Sequence, residues 1–168
     1  MKTKSPSYSN HGFTLVEMLV VITIIMILGG LSVGGFNMVM TRQANKKAEI
    51  QIKLLENAIE EYKLDNGSYP ASTGSSNDLY IALFWDSDSD GDGVGTDDDQ
   101  KIYLADLDPE NNGQGWTEGT GATATIVDPW GAEYIYRIAS DLNAVNPDFD
   151  LFSTGKDIDE AGDDITNF

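Results

Sequence analysis

The sequence predicts an α+β protein in which one long N-terminal helix packs on a small antiparallel β-sheet with a loop-rich C-terminal region. Three observations carry that prediction. The run Phe13–Met40 is apolar, with Glu17 its only charge. Beyond it Ala44, Ala48, Ile52, Leu55, Ile59 and Tyr62 recur at steps of four and three, which places them on one helical face. After Asn66-Gly67 that periodicity gives way to short β-rich segments separated by turn residues.

Residues 1–12 form a polar leader carrying Lys2 and Lys4 and no acid. Residues 13–40 follow; at helical rise the uncharged run after Glu17 spans roughly 35 Å, about one hydrocarbon core, so it is predicted to cross a membrane. Glu17 and the length of the run argue against a cleaved secretory signal, whose apolar region is short and acid-free. Gly29-Gly30 and Gly34-Gly35 lie inside the run. They either weaken the helix, at about 1 kcal/mol each relative to alanine, or let helices approach closely. Residues 41–66 continue as amphipathic helix, with Lys46, Lys47, Glu49, Lys53, Glu56, Glu60 and Glu61 off the apolar face. Asn66-Gly67 is a C-terminal stop, and Tyr69-Pro70 marks the exit because proline disfavours helix at the residue before it.

Residues 67–168 are expected to form a small globular domain. Leu79–Trp85 reads as a short helix, and Lys101–Leu107, Thr123–Val127 and Glu133–Ile138 read as strands, with Tyr134, Tyr136 and Ile138 sharing a face. Asp128-Pro129-Trp130-Gly131 has proline and glycine where a type I turn wants them, so the last two of these strands should pair as a hairpin. Phe149–Phe152 is expected to add an edge strand. Two acidic stretches remain, Asp86–Asp99 and Asp157–Asp164.

Charge and composition narrow the chemistry. With 10 Lys+Arg against 28 Asp+Glu, a net −18, the chain lacks the clustered cations that nucleic acid requires. Its 40% hydrophobic and 10% aromatic content argues for a packed core rather than disorder. There is no cysteine, hence no disulfide and no thiolate. The single histidine, His11, lies in the leader, so the rest of the chain has no imidazole for acid–base work. Carboxylates are plentiful, yet none is set apart as an acid or a base, and the chain is not expected to be an enzyme.

Gly12-Phe13-Thr14-Leu15-Val16-Glu17, behind a short basic leader, resembles the processing site of type IV pilins and their relatives. Ala58–Pro70, Asp128–Gly131 with Tyr134 and Tyr136, and Phe149–Asp157 followed by Asp163-Asp164-Ile165 resemble, in that order, three blocks of the major pseudopilins of type II secretion. The resemblance implies a pilin-like fold, prepilin peptidase cleavage between Gly12 and Phe13, and N-methylation of Phe13. It implies that Glu17 pairs in lipid with the new amino terminus of a neighbouring subunit. Its further implications are a helical homopolymer of this chain, minor pseudopilins and an inner-membrane assembly platform as partners, and a single pass through the bacterial inner membrane with the globular domain in the periplasm. Paired burial of the two charges is far less unfavourable than burying either alone, and it fixes one axial stagger. Two alternatives stay open: a type IV pilus subunit for adhesion or motility, and a membrane-tethered, calcium-dependent binding module. The stretch between Trp85 and Val127 is longer than the family pattern.

Calcium is the expected cofactor. At the C-terminus the resemblance implies a site built from the carbonyl of Leu151, from Ser153, and from the carboxylates of Asp157, Asp163 and Asp164. A second candidate rests on spacing. Asp86, Asp88 and Asp90, then Gly91, with Asp92 beside them and Asp97 at the twelfth place, follow the alternation of a calcium loop.

Overall fold

The computed structural model describes residues 13–86 and 101–168, and of residues 31–37 the backbone alone. The chain divides into two units, Met1–Met40 and Thr41–Phe168. Helix α1, Leu15–Asn66, contributes to both. In the first unit its apolar side chains from Leu15 to Leu28 are exposed. Gly29, Gly30, Gly34 and Gly35 all fall within the helix and do not interrupt it. Among the described residues no helix is long and apolar enough to cross a membrane. The span expected over 13–40 includes residues 31–37, whose side chains lie outside that set.

In the second unit the predicted face of α1 is the buried one: Ala48, Ile52, Leu55, Ile59 and Tyr62 are all in the core, joined by Gln51 and Ala58. The helix stops where expected. Gly67 adopts φ +75° and its N–H donates to the Lys63 carbonyl at 2.8 Å, the left-handed cap that a side chain would resist. Asn66 Nδ2 donates to the Tyr62 carbonyl at 3.0 Å, satisfying another of the helix's last acceptors.

The second helix begins earlier than its apolar residues suggest. Ser75 caps α2, Ser76–Tyr80, by accepting from the Asn77 N–H, and a wider π-helical turn over Ile81–Trp85 follows. That turn closes with the Asp86 N–H donating to the Ile81 carbonyl at 2.9 Å.

Five short strands complete the unit. Strands β1, Thr117–Glu118, and β2, Thr125–Ile126, form one antiparallel pair. Strands β3, Ile135–Ile138, β4, Phe149–Ser153, and β5, Ile165–Thr166, form a three-stranded antiparallel sheet in the order β3-β4-β5. The expected hairpin is present in minimal form. The Gly131 N–H donates to the Asp128 carbonyl, and Val127 and Glu133 make a single antiparallel bridge across it. Tyr134 and Tyr136 point together into the core.

Three strand expectations are corrected. Lys101–Leu107 is not a strand: the N–H groups of Tyr103 and Leu104 both donate to the Leu83 carbonyl in the middle of the π-helical turn, and Ala105–Leu107 is a 3₁₀ turn. Thr123–Val127 shrinks to two paired residues, because a 3₁₀ turn entered at Gly121, φ +59°, takes up the chain as far as Thr123. The Phe149 strand is central rather than an edge. Its second neighbour is the C-terminal segment, where Asn167 donates from its N–H to the Leu151 carbonyl and accepts from the Leu151 N–H, extending the pairing beyond β5.

The core joins the inner face of α1 to α2, the tyrosines of β3 and its approach, and Phe149 and Leu151 of β4. Its hydroxyls differ in their satisfaction. Tyr134 donates to Gln51 Oε1 at 2.8 Å and Tyr136 to the Pro70 carbonyl at 3.0 Å, whereas the buried hydroxyl of Tyr80 has no partner among the described residues. Burial, helped by the negative charge of Asp108, pushes the Tyr80 phenol up to about 12. Because the shift is upward, its contribution to stability is complete below the ordinary value of 10.0 and fades as pH climbs through the folded-state value. Tyr80→Phe is therefore expected to be neutral or stabilising and to soften alkaline unfolding. Tyr134→Phe strands Gln51 Oε1 and should lose about 1–2 kcal/mol in a urea midpoint series.

Candidate assembly and ion-binding sites

The helix start organises the first site. Phe13, 79% exposed, and Thr14 precede α1, and Thr14 acts as its N-cap. Glu17 Oε2 accepts from the Thr14 N–H at 2.7 Å and from its hydroxyl at 2.8 Å, while Thr14 Oγ1 accepts from the Glu17 N–H at 3.2 Å. This is a reciprocal capping box, T-x-x-E, one turn from the expected processing point. The carboxylate thus also has an intrachain role that the membrane argument alone does not supply. Gly12, the other half of the expected cleavage site, lies outside the described residues.

The C-terminal loop is built on β4. Ser153, fully buried, donates its hydroxyl to Asp128 Oδ2 at 2.5 Å and accepts the Gly155 N–H at 3.0 Å. Asp128 in turn accepts from the N–H groups of Trp130 and Ala132, both at 2.9 Å, and so locks the hairpin turn to the end of β4. At Gly155, φ +69°, a Cβ would collide with the Asp163 carbonyl, so only glycine lets the two chain segments meet. Asp163 Oδ2 accepts from the N–H groups of Lys156 at 3.0 Å and Asp157 at 3.1 Å, closing the loop.

Of the residues expected to bind calcium here, Asp157 and Asp163 are thus brought together, through the Asp157 backbone. The Ser153 hydroxyl is engaged with Asp128, and the Leu151 carbonyl accepts from Asn167. Asp164 is half-buried beside Asp163. Among the described residues no group of three or more histidine or carboxylate side chains converges as a metal cage. Among the described residues, Asp163 Oδ1 is buried without a hydrogen-bond partner, and so is the neighbouring Thr154 hydroxyl. A carboxylate oxygen removed from water without a donor is unfavourable unless a charge meets it. In the second candidate only Asp86 is described; Asp88, Asp90, Asp92 and Asp97 lie outside the described residues.

Sequence reasoning missed three structural carboxylates and hydroxyls. Thr14 was legible, since its spacing to Glu17 is that of a capping box. Asp150, buried, accepts from the Val145 and Asn146 N–H groups at 2.8 and 2.7 Å and holds the turn before β4. Asp128 reaches Ser153 across 25 positions, which no local spacing announces.

Comparison with known proteins places these features in one family. The prokaryotic N-terminal methylation motif matches residues 8–33, the stretch that contains Gly12, Phe13 and Glu17. The family model for type II secretion system protein G matches residues 38–81 and 95–167, more than half of the chain. Among curated relatives, the type II secretion system core protein G of Escherichia coli strain K12 is 33% identical over 160 residues, covering 94% of this chain and 90% of its own length. That of Pseudomonas aeruginosa is 30% identical over 156 residues, covering 91% and 88%. That of Vibrio cholerae is 29% identical over 153 residues, covering 90% and 84%. The two matched blocks are separated by an unmatched stretch, 82–94, that holds the start of the first acidic run. With its methylation motif, its helix and its body blocks all matched in order, the chain belongs to the type II secretion system protein G family.

Proposed function

We propose that this chain is the repeating subunit of a type II secretion pseudopilus, a structural role and not an enzymatic one. The observation that carries the reading is the succession of the methylation motif and the protein G match along a single chain. In this reading a prepilin peptidase cleaves after Gly12 and Phe13 becomes the methylated amino terminus. Residues 13–40 anchor the precursor in the inner membrane with the globular unit in the periplasm. Assembly then moves those residues into the filament core, where Glu17 meets the amine of an adjacent Phe13. Minor pseudopilins and the inner-membrane platform would be its assembly partners. Mass spectrometry of the mature N-terminal peptide tests this: a chain that begins at methylated Phe13 is expected, and one that retains residues 1–12 in assembled material would overturn the processing step.

Calcium belongs to the same proposal. Asp163, with its unpartnered Oδ1, supports it, and Asp157, Asp164, Ser153 and the Leu151 carbonyl would complete the donor set. The ion would supply positive charge where a chain of net −18 has gathered carboxylates, tying the 153–164 loop to β4. Asp86–Asp97 is the second proposed loop. Excess chelator is expected to lower the melting temperature of the full chain in detergent by about 10 °C, from a binding contribution of about 3 kcal/mol. Readdition of calcium should restore it, and Asp163→Asn should remove the part of the response that comes from the C-terminal loop. An unchanged melting temperature in chelator would sink both sites.

A further inference from the structure

We infer that a groove on the outer flank of α1 is the seat for the acidic C-terminal loop of a second copy of this chain. The inference rests on the pseudopilus reading and names the two surfaces that meet in it. The groove, of about 360 Å³, lies between α1 and the segment that carries Trp116. Lys46, Lys47, Ile50 and Leu54 form its helical side, with Gln51 and Trp116 in its wall.

Two features mark it as a surface awaiting a partner. Ile50 and Leu54 are 58% and 37% exposed, on the helix whose other apolar positions from Ala48 to Tyr62 are buried. The groove also carries positive charge on a strongly acidic chain: Lys46 and Lys47 stand against Asp106 alone among its lining. Lys46 also pairs with Glu49, and Lys47 donates to the Gln114 carbonyl, which leaves its charge in place. An occupant that suits it brings an apolar side chain flanked by negative charge.

The chain itself displays that chemistry in Asp157-Ile158-Asp159-Glu160. Ile158 is 75% exposed between carboxylates. The loop is held in shape by Asp163, which accepts from residues 156 and 157, and by Asp157 Oδ1, which accepts the Asp159 N–H at 3.2 Å. Presenting Ile158 this way needs little further ordering on binding. Groove and loop are different surfaces, so their pairing is head-to-tail and propagates along a polymer instead of closing a dimer.

The absence of cysteine provides a clean test. One full-length copy would carry Leu54→Cys and another Ile158→Cys; the two would be co-assembled and oxidised. A linked dimer containing both variants is expected, because the two Cα atoms would come within the 4–7 Å or so that a disulfide spans. Ile50→Cys with Ile158→Cys serves as a second pair should either first variant fold poorly. Lys47→Glu should lower the yield roughly tenfold, and Asp159→Lys in the partner copy should recover much of it, as expected of facing charges. Normal filaments in which neither pair links, or in which the groove variants link only to each other or to another protein, would overturn the assignment while leaving the pseudopilus reading intact. Failure of the unsubstituted chain to form filaments at all would overturn both.

Discussion

Glu17→Gln is expected to abolish filament formation while leaving α1 folded. The substitution separates two roles that share one side chain. In the isolated chain Glu17 completes a capping box with Thr14, and glutamine performs that task nearly as well as glutamate. What glutamine cannot do is neutralise an amine in a dry filament core. Leaving that ammonium unpaired would disfavour each subunit addition by roughly 3–5 kcal/mol, about two to four orders of magnitude in the assembly constant. Thr14→Ala is the complementary variant: it removes the cap, for about 1 kcal/mol of local helix stability, and keeps the charge. Circular dichroism should show full helicity for the first variant and slight fraying for the second, while sedimentation of assembled material should show the reverse order of damage. If both variants assembled alike, Glu17 would be a helix cap and nothing more.

Asp128→Ala should produce the largest loss of folded-state stability of any single surface-remote carboxylate. Asp128 is 2% exposed and accepts three hydrogen bonds, from the N–H groups of Trp130 and Ala132 and from the Ser153 hydroxyl. Removing one acceptor group therefore leaves three donors to find partners in the interior. At about 1–3 kcal/mol for each buried donor left unmade, with some relief from water entering the turn, a net loss of about 3–5 kcal/mol is expected. Asp128→Asn should lose much less. Its oxygen can still accept both N–H groups, and its amide can donate to Ser153 Oγ. Guanidinium unfolding of the two variants checks the order, and an alanine variant as stable as the parent would mean that the hairpin and β4 are not joined through this residue.

Features encoded by neighbours in sequence were the legible ones. The four-and-three spacing of Ala48 through Tyr62 located the buried face of α1, and Asn66-Gly67 located its end, because both depend on residues within a few turns of one helix. Asp128–Gly131 announced its turn for the same reason. Strand assignments fared worse. The apolar alternation of Ile102 and Leu104 suits a strand, but the backbone donors of Tyr103 and Leu104 find the Leu83 carbonyl, a choice made by tertiary packing. Likewise, Phe149–Ser153 became a central strand because Ile165 and Asn167 return to its far side, which periodicity within the strand does not reveal. At the sites, Glu17 was visible as a charge out of place, while the Asp128–Ser153 link joins residues that no local rule connects.

The double acceptor at Leu83 has a consequence for how this protein can vary. Asp86 is fixed by its N–H to the Ile81 carbonyl, and Tyr103 and Leu104 donate to Leu83, with Lys101 paired to Glu61 at 2.8 Å and Asp65 at 2.5 Å. Asp86 and Tyr103 are thus both anchored on Ile81–Leu83. Lengthening the chain between two such fixed points adds only about 0.6 kcal/mol per doubling. Extra residues or an epitope tag placed between Asp97 and Lys101, outside the proposed calcium loop, should be tolerated with little change in the body's melting behaviour, which makes this a practical point for decorating the fibre.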